Sequence, residues 1–302
     1  MLKFFTRFFS NKISEQHFCM AVGKEKMSFI LLDRDKNEHS IKIWRTTVIK
    51  DICRRIESLF PRKKIHGDGV LVLPSSLYYA LQTDKPNVPE DEVAAALKWQ
   101  IKDIVPIPVE DMVVDYADYP ITVAGKAKVN VVCSQLSVLK QVYRSVNKTK
   151  AQLKSIISEE IAFANLLEIS PTPVLLVYQP LGDEVFLLIV QAGQIYFQRK
   201  LRGFSAISQM DETQLEGGIC DALSVELQKS MDYFERQLKQ QSIQYIRVLL
   251  PSEHEPLIIE KLMQNTLLDV QSLAMPDPYS NRAHAAGIGG IIELTLMESR
   301  HD

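Results

Sequence analysis

The pattern of apolar positions divides the chain into short strand-like runs and longer stretches with helical spacing. Near the N-terminus, three apolar runs are separated by charged turns, a spacing that predicts an antiparallel meander. They span residues 17–23, 27–33 and 39–46. Residues 48–60 then carry apolar side chains on one helical face, and we expect Pro61 to end that helix. The apolar run at 69–74, enclosed by Gly and Pro, is typical of a buried strand.

The same order of elements returns in the second half of the chain. Three strand-like runs precede a long helix with a core-facing stripe, which is followed by a strand, a helix and a strand. These segments are 172–179, 184–191, 194–201, 219–238, 243–251, 255–264 and 267–273, and a helix at 282–299 closes the chain. A twice-repeated meander-helix unit is similar to the internal repeat of the actin/Hsp70 superfamily. The sequence therefore predicts an α/β protein with an actin-like ATPase fold, made of two βββαβ-type halves and an inserted α+β subdomain.

Between the two copies lies a piece with its own order of elements. A helix is followed by a strand hairpin, a second helix, a strand and a third helix, at 88–105, 112–119 with 127–134, 136–148, 153–157 and 159–169. We therefore divide the chain into an N-terminal amphipathic tail (1–13), a first actin-like domain (14–170) with the inserted subdomain at about 86–157, a second actin-like domain (171–276) and a C-terminal helix returning to the first domain (277–302).

The first inserted helix runs into a Val-Pro-Ile-Pro bend. Its apolar stripe consists of Val93, Leu97, Ile101 and Ile104. Pro106 must end the helix, and Pro108 adds a second fixed φ that holds Ile107 extended. One interpretation is a rigid connector between subdomains. The other is an apolar groove for a partner segment, with Ile107 presented outward, walled by Trp99, Val105, Pro106, Ile107 and Pro108.

Composition narrows the functional class. Among 302 residues, 46% hydrophobic and 24% charged are globular values, and a net charge of −2 gives no general attraction to nucleic acid. The four cysteines are scattered, as in a reduced cytosolic protein, and the six histidines are isolated, so no metal site is indicated. No arrangement of residues points to catalytic chemistry. A Gly-x-Gly-Gly at 287–290 is interpreted as a site of close helix packing, because it follows no strand.

The N-terminal sequence MLKFFTRFFSNK has the spacing of a short interfacial helix. Its aromatic residues are Phe4, Phe5, Phe8 and Phe9, and basic residues surround them. We expect these four side chains to make peripheral membrane contact, although docking of the tail on the protein itself stays open. The most apolar stretch, at 185–197, is too short for a transmembrane helix.

Residues 89–120 closely resemble the stretch of PilM-family proteins in which a helix with a central Trp runs into a Pro-x-Pro bend and an acidic strand. Residues 153–168, 224–238 and 283–294 resemble further helices of that family more loosely. Within the family, the resemblance is closest to the MshI proteins of mannose-sensitive haemagglutinin (MSHA) pilus biogenesis. It implies a cytoplasmic type IV pilus assembly protein at the inner face of the inner membrane. The implied partners are the cytoplasmic tail of a PilN-type membrane protein and other pilus components.

Three loops depart from the nucleotide-binding pattern of the fold, which uses glycine-rich turns to approach phosphates. They read AVGKEKMS (21–28), VYQPLGDEV (177–185) and VLLPSEHEPL (248–257). The first lacks an acid before Gly23, the second has Pro180 in its turn, and the third has no glycine. We therefore expect a scaffold without a cofactor and without hydrolysis. The alternative is a functional actin-like ATPase that binds ATP and magnesium between the domains.

Overall fold

The computed structural model describes residues 16–24, 26–33, 38–45, 48–277, 279 and 281–299. In this part of the chain the strands are β1 (Gln16–Val22), β2 (Met27–Asp33), β3 (Glu38–Trp44), β4 (His66–Leu73), β5 (Tyr78–Asp84), β6 (Met112–Asp118), β7 (Lys128–Gln135), β8 (Lys150–Ser158), β9 (Val174–Tyr178), β10 (Val185–Gln191), β11 (Gln194–Leu201), β12 (Tyr245–Leu249) and β13 (Asp269–Ser272). The helices are α1 (Ile49–Arg62), α2 (Val93–Ile101), α3 (Leu136–Asn147), α4 (Glu159–Ala164), α5 (Glu212–Gln214), α6 (Cys220–Asp232), α7 (Glu255–Thr266) and α8 (Ala285–Glu298). Single 3₁₀ turns lie at Val109–Asp111, Ile207–Gln209 and Arg282–His284, and π turns flank α6 at Leu215–Ile219 and Tyr233–Gln237.

The chain divides into two compact units. One comprises residues up to 162 together with those from 286 onward, and the other comprises 163–285. The boundaries expected from the sequence are 170/171 and 276/277. In the structure, α4 and α8 each cross from one unit into the other near an end.

The main sheet of the first unit has the order β3-β2-β1-β4-β8. Its first three strands are antiparallel, and β4 and β8 continue it in parallel. Helices α1 and α3 cover one face of this sheet. The core beneath them contains Phe18, Phe29 and Phe60, whose rings lie 5.1 to 6.4 Å apart. Aromatic rings at such distances add attraction to the burial of their apolar surface.

The inserted subdomain forms a separate three-stranded sheet of order β5-β7-β6. The predicted hairpin is confirmed as β6 and β7. Strand β5 was missed, because its sequence, YYALQTD, lacks the apolar alternation that marks a strand. Helix α2 packs against β6, and the small core between them includes Val93, Leu97, Ile101, Met112 and Val131.

The sheet of the second unit has the order β11-β10-β9-β12-β13. This is the strand order of the first unit, with the same antiparallel meander and the same two parallel additions. The repeat predicted from the sequence is therefore confirmed at the level of strand order. Buried side chains of α6, among them Leu223 and Leu227, contribute to the core of this unit.

Two helix ends differ from the prediction. Helix α1 continues through Pro61 to Arg62, and the Lys63 N–H still bonds to the Leu59 carbonyl at 2.9 Å. Since Pro61 lies in the last turn, its missing N–H removes one bond and does not break the helix earlier. Helix α2 ends at Ile101, four residues before the predicted end at 105.

Candidate functional site

The Val-Pro-Ile-Pro bend begins directly after α2. The amides of Ile104 and Val105 both bond to the Ile101 carbonyl, at 2.9 and 3.1 Å, which closes the helix with a tight turn. The Ile107 N–H then bonds to the Val105 carbonyl at 2.8 Å across Pro106. Pro108 has φ −56° and ψ 141°, the extended geometry expected of proline ahead of a 3₁₀ turn.

The side chains of Val105 and Ile107 point into the inserted subdomain. They are 3% and 5% exposed and belong to the same core as Ile101 and Met112. The expectation that Ile107 is presented outward to a partner is therefore wrong. Fixed backbone at both prolines turns the two aliphatic side chains inward, where they close the end of the small core.

Two other apolar side chains of this region are on the surface. Trp99 is 64% exposed and Ile104 is 66% exposed. Ile104 was expected on the buried stripe of the helix, but α2 ends three residues earlier, so the helical spacing no longer applies to it. We call five of the exposed residues of this stretch the bend surface: Trp99, Lys102, Ile104, Pro106 and Pro108.

The bend surface has one internal contact that bears on binding. The Lys102 ammonium lies 5.4 Å from the centre of the Trp99 ring, within the range of a cation–π interaction. The indole is therefore held near its own helix while one face stays open to water. The sequence identified Trp99 and both prolines, and missed Ile104.

The turn between β9 and β10 is the second of the three loops that differ from the nucleotide pattern. The buried Gln179 amide donates to the carbonyls of Asp183 and Ser205, at 2.8 Å each, and its oxygen accepts from the Ser208 hydroxyl. The Glu184 N–H donates to the Asp183 carboxylate, and the Phe204 N–H donates to the Glu184 carboxylate, both at 2.8 Å. Backbone N–H groups around this turn are thus bonded to the protein's own acids.

The loop between β12 and α7 is stabilised in the same way by Glu255. This buried carboxylate accepts from the Leu250 N–H at 2.7 Å, from the Ser272 hydroxyl at 2.9 Å and from the Arg282 guanidinium at 3.0 Å. Burial raises the pKa of Glu255, and the Leu250 N–H and the Arg282 charge act in the opposite direction. Burial also lowers the pKa of Arg282. The Glu255 carboxylate is therefore the hydrogen-bond acceptor of this loop, and it comes from the protein itself.

The first loop is short. The Gly23 N–H bonds to the Lys26 carbonyl at 2.8 Å, which closes the turn on itself. The residues of the second and third loops therefore do not fit the ATP phosphates that the fold family implies, and the first offers one glycine whose N–H is already bonded. Among the described residues there is also no group of three His, Cys, Asp or Glu side chains that could hold a metal ion.

Phe4, Phe5, Phe8 and Phe9 lie outside the described residues. No helix in the described part of the chain is both long enough and apolar enough to cross a bilayer.

No protein-family model and no curated protein matches the sequence. Several solved structures, in contrast, are similar to the structure of this chain. A PilM–PilN type IV pilus biogenesis complex is 14% identical, with a TM-score of 0.65 over 92% of this chain and 98% of that chain. The ethanolamine utilization protein EutJ from Carboxydothermus hydrogenoformans is 8% identical, with a TM-score of 0.51 over 92% and 89%.

A third similar structure is a Bacteroides thetaiotaomicron protein described as having an actin-like ATPase fold and unknown function. It is 11% identical, with a TM-score of 0.51 over 91% of this chain and 95% of that chain. At these identities the likeness concerns the fold. The two sheets of identical strand order and these similarities together confirm the predicted fold class: the chain has the actin-like ATPase fold.

Proposed function

We propose that this protein is a PilM-like cytoplasmic scaffold of a type IV pilus assembly complex, of the MSHA type, which binds the cytoplasmic tail of a PilN-type inner-membrane protein. The observation that carries the proposal is the bend surface, where Trp99 and Ile104 are exposed on the inserted subdomain. The similarity to a structure of a PilM–PilN complex supports the choice of partner. Other pilus components are expected to assemble on the same scaffold at the inner face of the inner membrane.

The bend surface has the composition of a binding site for an apolar peptide. Covering Trp99 and Ile104 would remove on the order of 200 Å² of apolar area from water, or about 5 kcal/mol before the costs of association. Two prolines keep the adjoining backbone rigid, so little conformational entropy is lost when a peptide binds. Val105 and Ile107 support this surface from inside the subdomain and do not contact the peptide in this proposal.

The scaffold role includes the absence of nucleotide hydrolysis. Loops that bind phosphate need several free backbone N–H groups. Here one N–H of the second loop bonds to Asp183, one N–H of the third loop bonds to Glu255, and the nearby Phe204 N–H bonds to Glu184. The Glu184 carboxylate would also repel phosphate. These contacts support a scaffold over the alternative, a working ATPase of the same fold.

Binding of the partner's cytoplasmic peptide, measured by calorimetry on full-length protein, tests the proposal. Trp99→Ala should weaken binding by about 2 kcal/mol if the indole is a central anchor. Ile104→Ala should weaken it by about 1 kcal/mol. Pro108→Ala should cost less than Trp99→Ala, mainly through lost rigidity.

Ile169→Ala is the matched control, because Ile169 is 75% exposed and lies in the other unit. It should bind the peptide like wild type. Circular dichroism checks that each variant is folded. If Trp99→Ala and Ile104→Ala are folded and bind like wild type, the bend is only a connector and the partner binds elsewhere.

A further inference from the structure

The outer sides of α1 and α3 form a second surface of the first unit. The two helices lie side by side, and the Glu57 carboxylate of α1 accepts from the Ser145 hydroxyl and the Lys148 ammonium, at 2.9 and 2.7 Å. Their inner sides bury Ile52, Ile56 and the apolar residues of α3 against the sheet. Their outer sides and ends are exposed, and we call them the basic face, residues 48–64 and 136–150.

Charge is distributed very unevenly between this face and the rest of the chain. The two segments contain ten basic side chains and two carboxylates, a local charge of +8, whereas the whole chain carries −2. The basic residues are Lys50, Arg54, Arg55, Arg62, Lys63, Lys64, Lys140, Arg144, Lys148 and Lys150. The remainder of the protein therefore carries −10. Because this face is positive although the whole chain is negative, its electrostatic field would attract an anionic partner at close range.

Both carboxylates are already engaged by neighbouring cations. Asp51 pairs with Arg54 at 3.1 Å, and Glu57 pairs with Lys148 at 2.7 Å. In the part of the chain that the structure describes, none of the other eight cations forms an ion pair. One of them, Arg55, lies over the Trp44 ring at 5.7 Å. Seven cations of the two segments thus have no ion-pair partner among the described residues: Lys50, Arg62, Lys63, Lys64, Lys140, Arg144 and Lys150. Their mutual repulsion is relieved when they meet a surface of negative charge.

The position of Gln16, together with the sequence that precedes it, indicates which anionic surface this is. The described chain starts at Gln16, whose side-chain oxygen accepts from the His66 N–H at 3.1 Å. His66 follows Lys64 closely and is paired with Lys150 across β4 and β8. Gln16 therefore lies beside the end of the face that carries Lys64 and Lys150. The sequence of residues 1–12 contains four phenylalanines together with Lys3, Arg7 and Lys12, a composition suited to lipid and not to nucleic acid.

We propose that the basic face docks on an anionic phospholipid bilayer, with lipid phosphates meeting these seven cations. Exposed Val48 at the start of α1 and Tyr143 on α3 would reach the headgroup region. Each Lys or Arg close to an anionic bilayer strengthens binding roughly fivefold at moderate salt. Seven such residues on a folded surface are enough to hold a protein of net negative charge at a membrane. The inference is independent of the bend surface and of its partner.

Co-sedimentation of full-length protein with vesicles tests the proposal. Wild type should bind vesicles of phosphatidylcholine and phosphatidylglycerol, should bind neutral phosphatidylcholine vesicles far less, and should dissociate at high salt. The triple variant Lys63→Gln, Lys140→Gln, Arg144→Gln should bind the anionic vesicles at least about tenfold more weakly. These three side chains are exposed and lie outside the described ion pairs, so the fold should be unaffected.

The control variant removes the same charge from the other unit: Arg202→Gln, Arg236→Gln, Lys239→Gln. It should bind vesicles like wild type, and circular dichroism should show both variants folded. The proposal is overturned if the basic-face variant binds as wild type does, since the N-terminal segment alone would then account for membrane contact. It is equally overturned if both variants lose binding to the same extent, or if wild type binds duplex DNA more tightly than anionic vesicles.

Discussion

The substitution Gly289→Ala tests the close packing of α8 in the first unit. A Cβ built on Gly289 would lie 1.8 Å from the carbonyl oxygen of Ala162 in α4. A carbon and a carbonyl oxygen approach to roughly 3.3 Å at best. Helix α8 would therefore have to move by about 1.5 Å, and a backbone oxygen cannot rotate away as the end of a side chain can.

The expected cost follows from two opposing effects. Overpacking of a close-packed core costs about 1 to 3 kcal/mol and sometimes more, and contact with backbone belongs at the upper end. Alanine gains about 1 kcal/mol over glycine in a helix interior. We expect Gly289→Ala to lower the free energy of unfolding by about 3 kcal/mol. Gly290→Ala, 2.4 Å from the Cys19 sulfur, should cost less, and Gly287→Ala, near the flexible end of Ile30, should cost least.

Urea unfolding followed by circular dichroism measures these differences, and hydrogen exchange of peptides from α8 assigns them to the first unit. Gly217→Ala is the control, because a Cβ there meets nothing within 4 Å. It should leave stability unchanged or slightly increased. If Gly289→Ala is as stable as Gly217→Ala, the packing explanation of the Gly-x-Gly-Gly sequence is wrong.

Two further predictions concern the second and third loops. Glu255→Ala should lower the free energy of unfolding by about 2 to 3 kcal/mol, because it leaves the half-buried Arg282 charge without its carboxylate partner and the Leu250 N–H without its acceptor. Glu255→Gln should cost less, and an equal cost for both would contradict a role for the charge. Calorimetric titration with ATP and magnesium should give a dissociation constant no tighter than millimolar, about −4 kcal/mol. A micromolar value, or turnover above background, would favour the ATPase alternative.

The fold was predictable because short, well-separated apolar runs in the sequence mark its strands and helices in order. Three strands, a helix and a strand can be identified twice along the chain, and the two sheets have the corresponding strand order. Strand β5 was not predictable, since its exposed and half-buried residues show no apolar alternation. The end of α2 was predicted four residues late because Ile104 happens to fit the helical spacing beyond Ile101.

The candidate site was only partly predictable for a related reason. Sequence shows that Pro106 and Pro108 fix the backbone, but the direction of Ile107 depends on the hydrogen bond from its N–H to Val105 and on the space left beside Met112. The hydrogen bond is a local turn whose geometry the two prolines alone do not specify, and the packing beside Met112 is a tertiary contact. The basic face was missed because its cations are distributed over two segments more than seventy residues apart, and only the packing of α1 against α3 brings them together.

The contacts of the β9–β10 turn give a magnitude for the weak ATP binding that we predict. A phosphate entering this turn would have to replace the two Gln179 bonds to carbonyls and the bond from the Phe204 N–H to Glu184. Each net hydrogen bond contributes about 1 kcal/mol, so opening the turn would cost about 3 kcal/mol before any new contact forms. That cost alone weakens binding by roughly a hundredfold. Asp183 is already neutralised by Lys200 at 2.8 Å, so that lysine is not free to compensate an incoming phosphate.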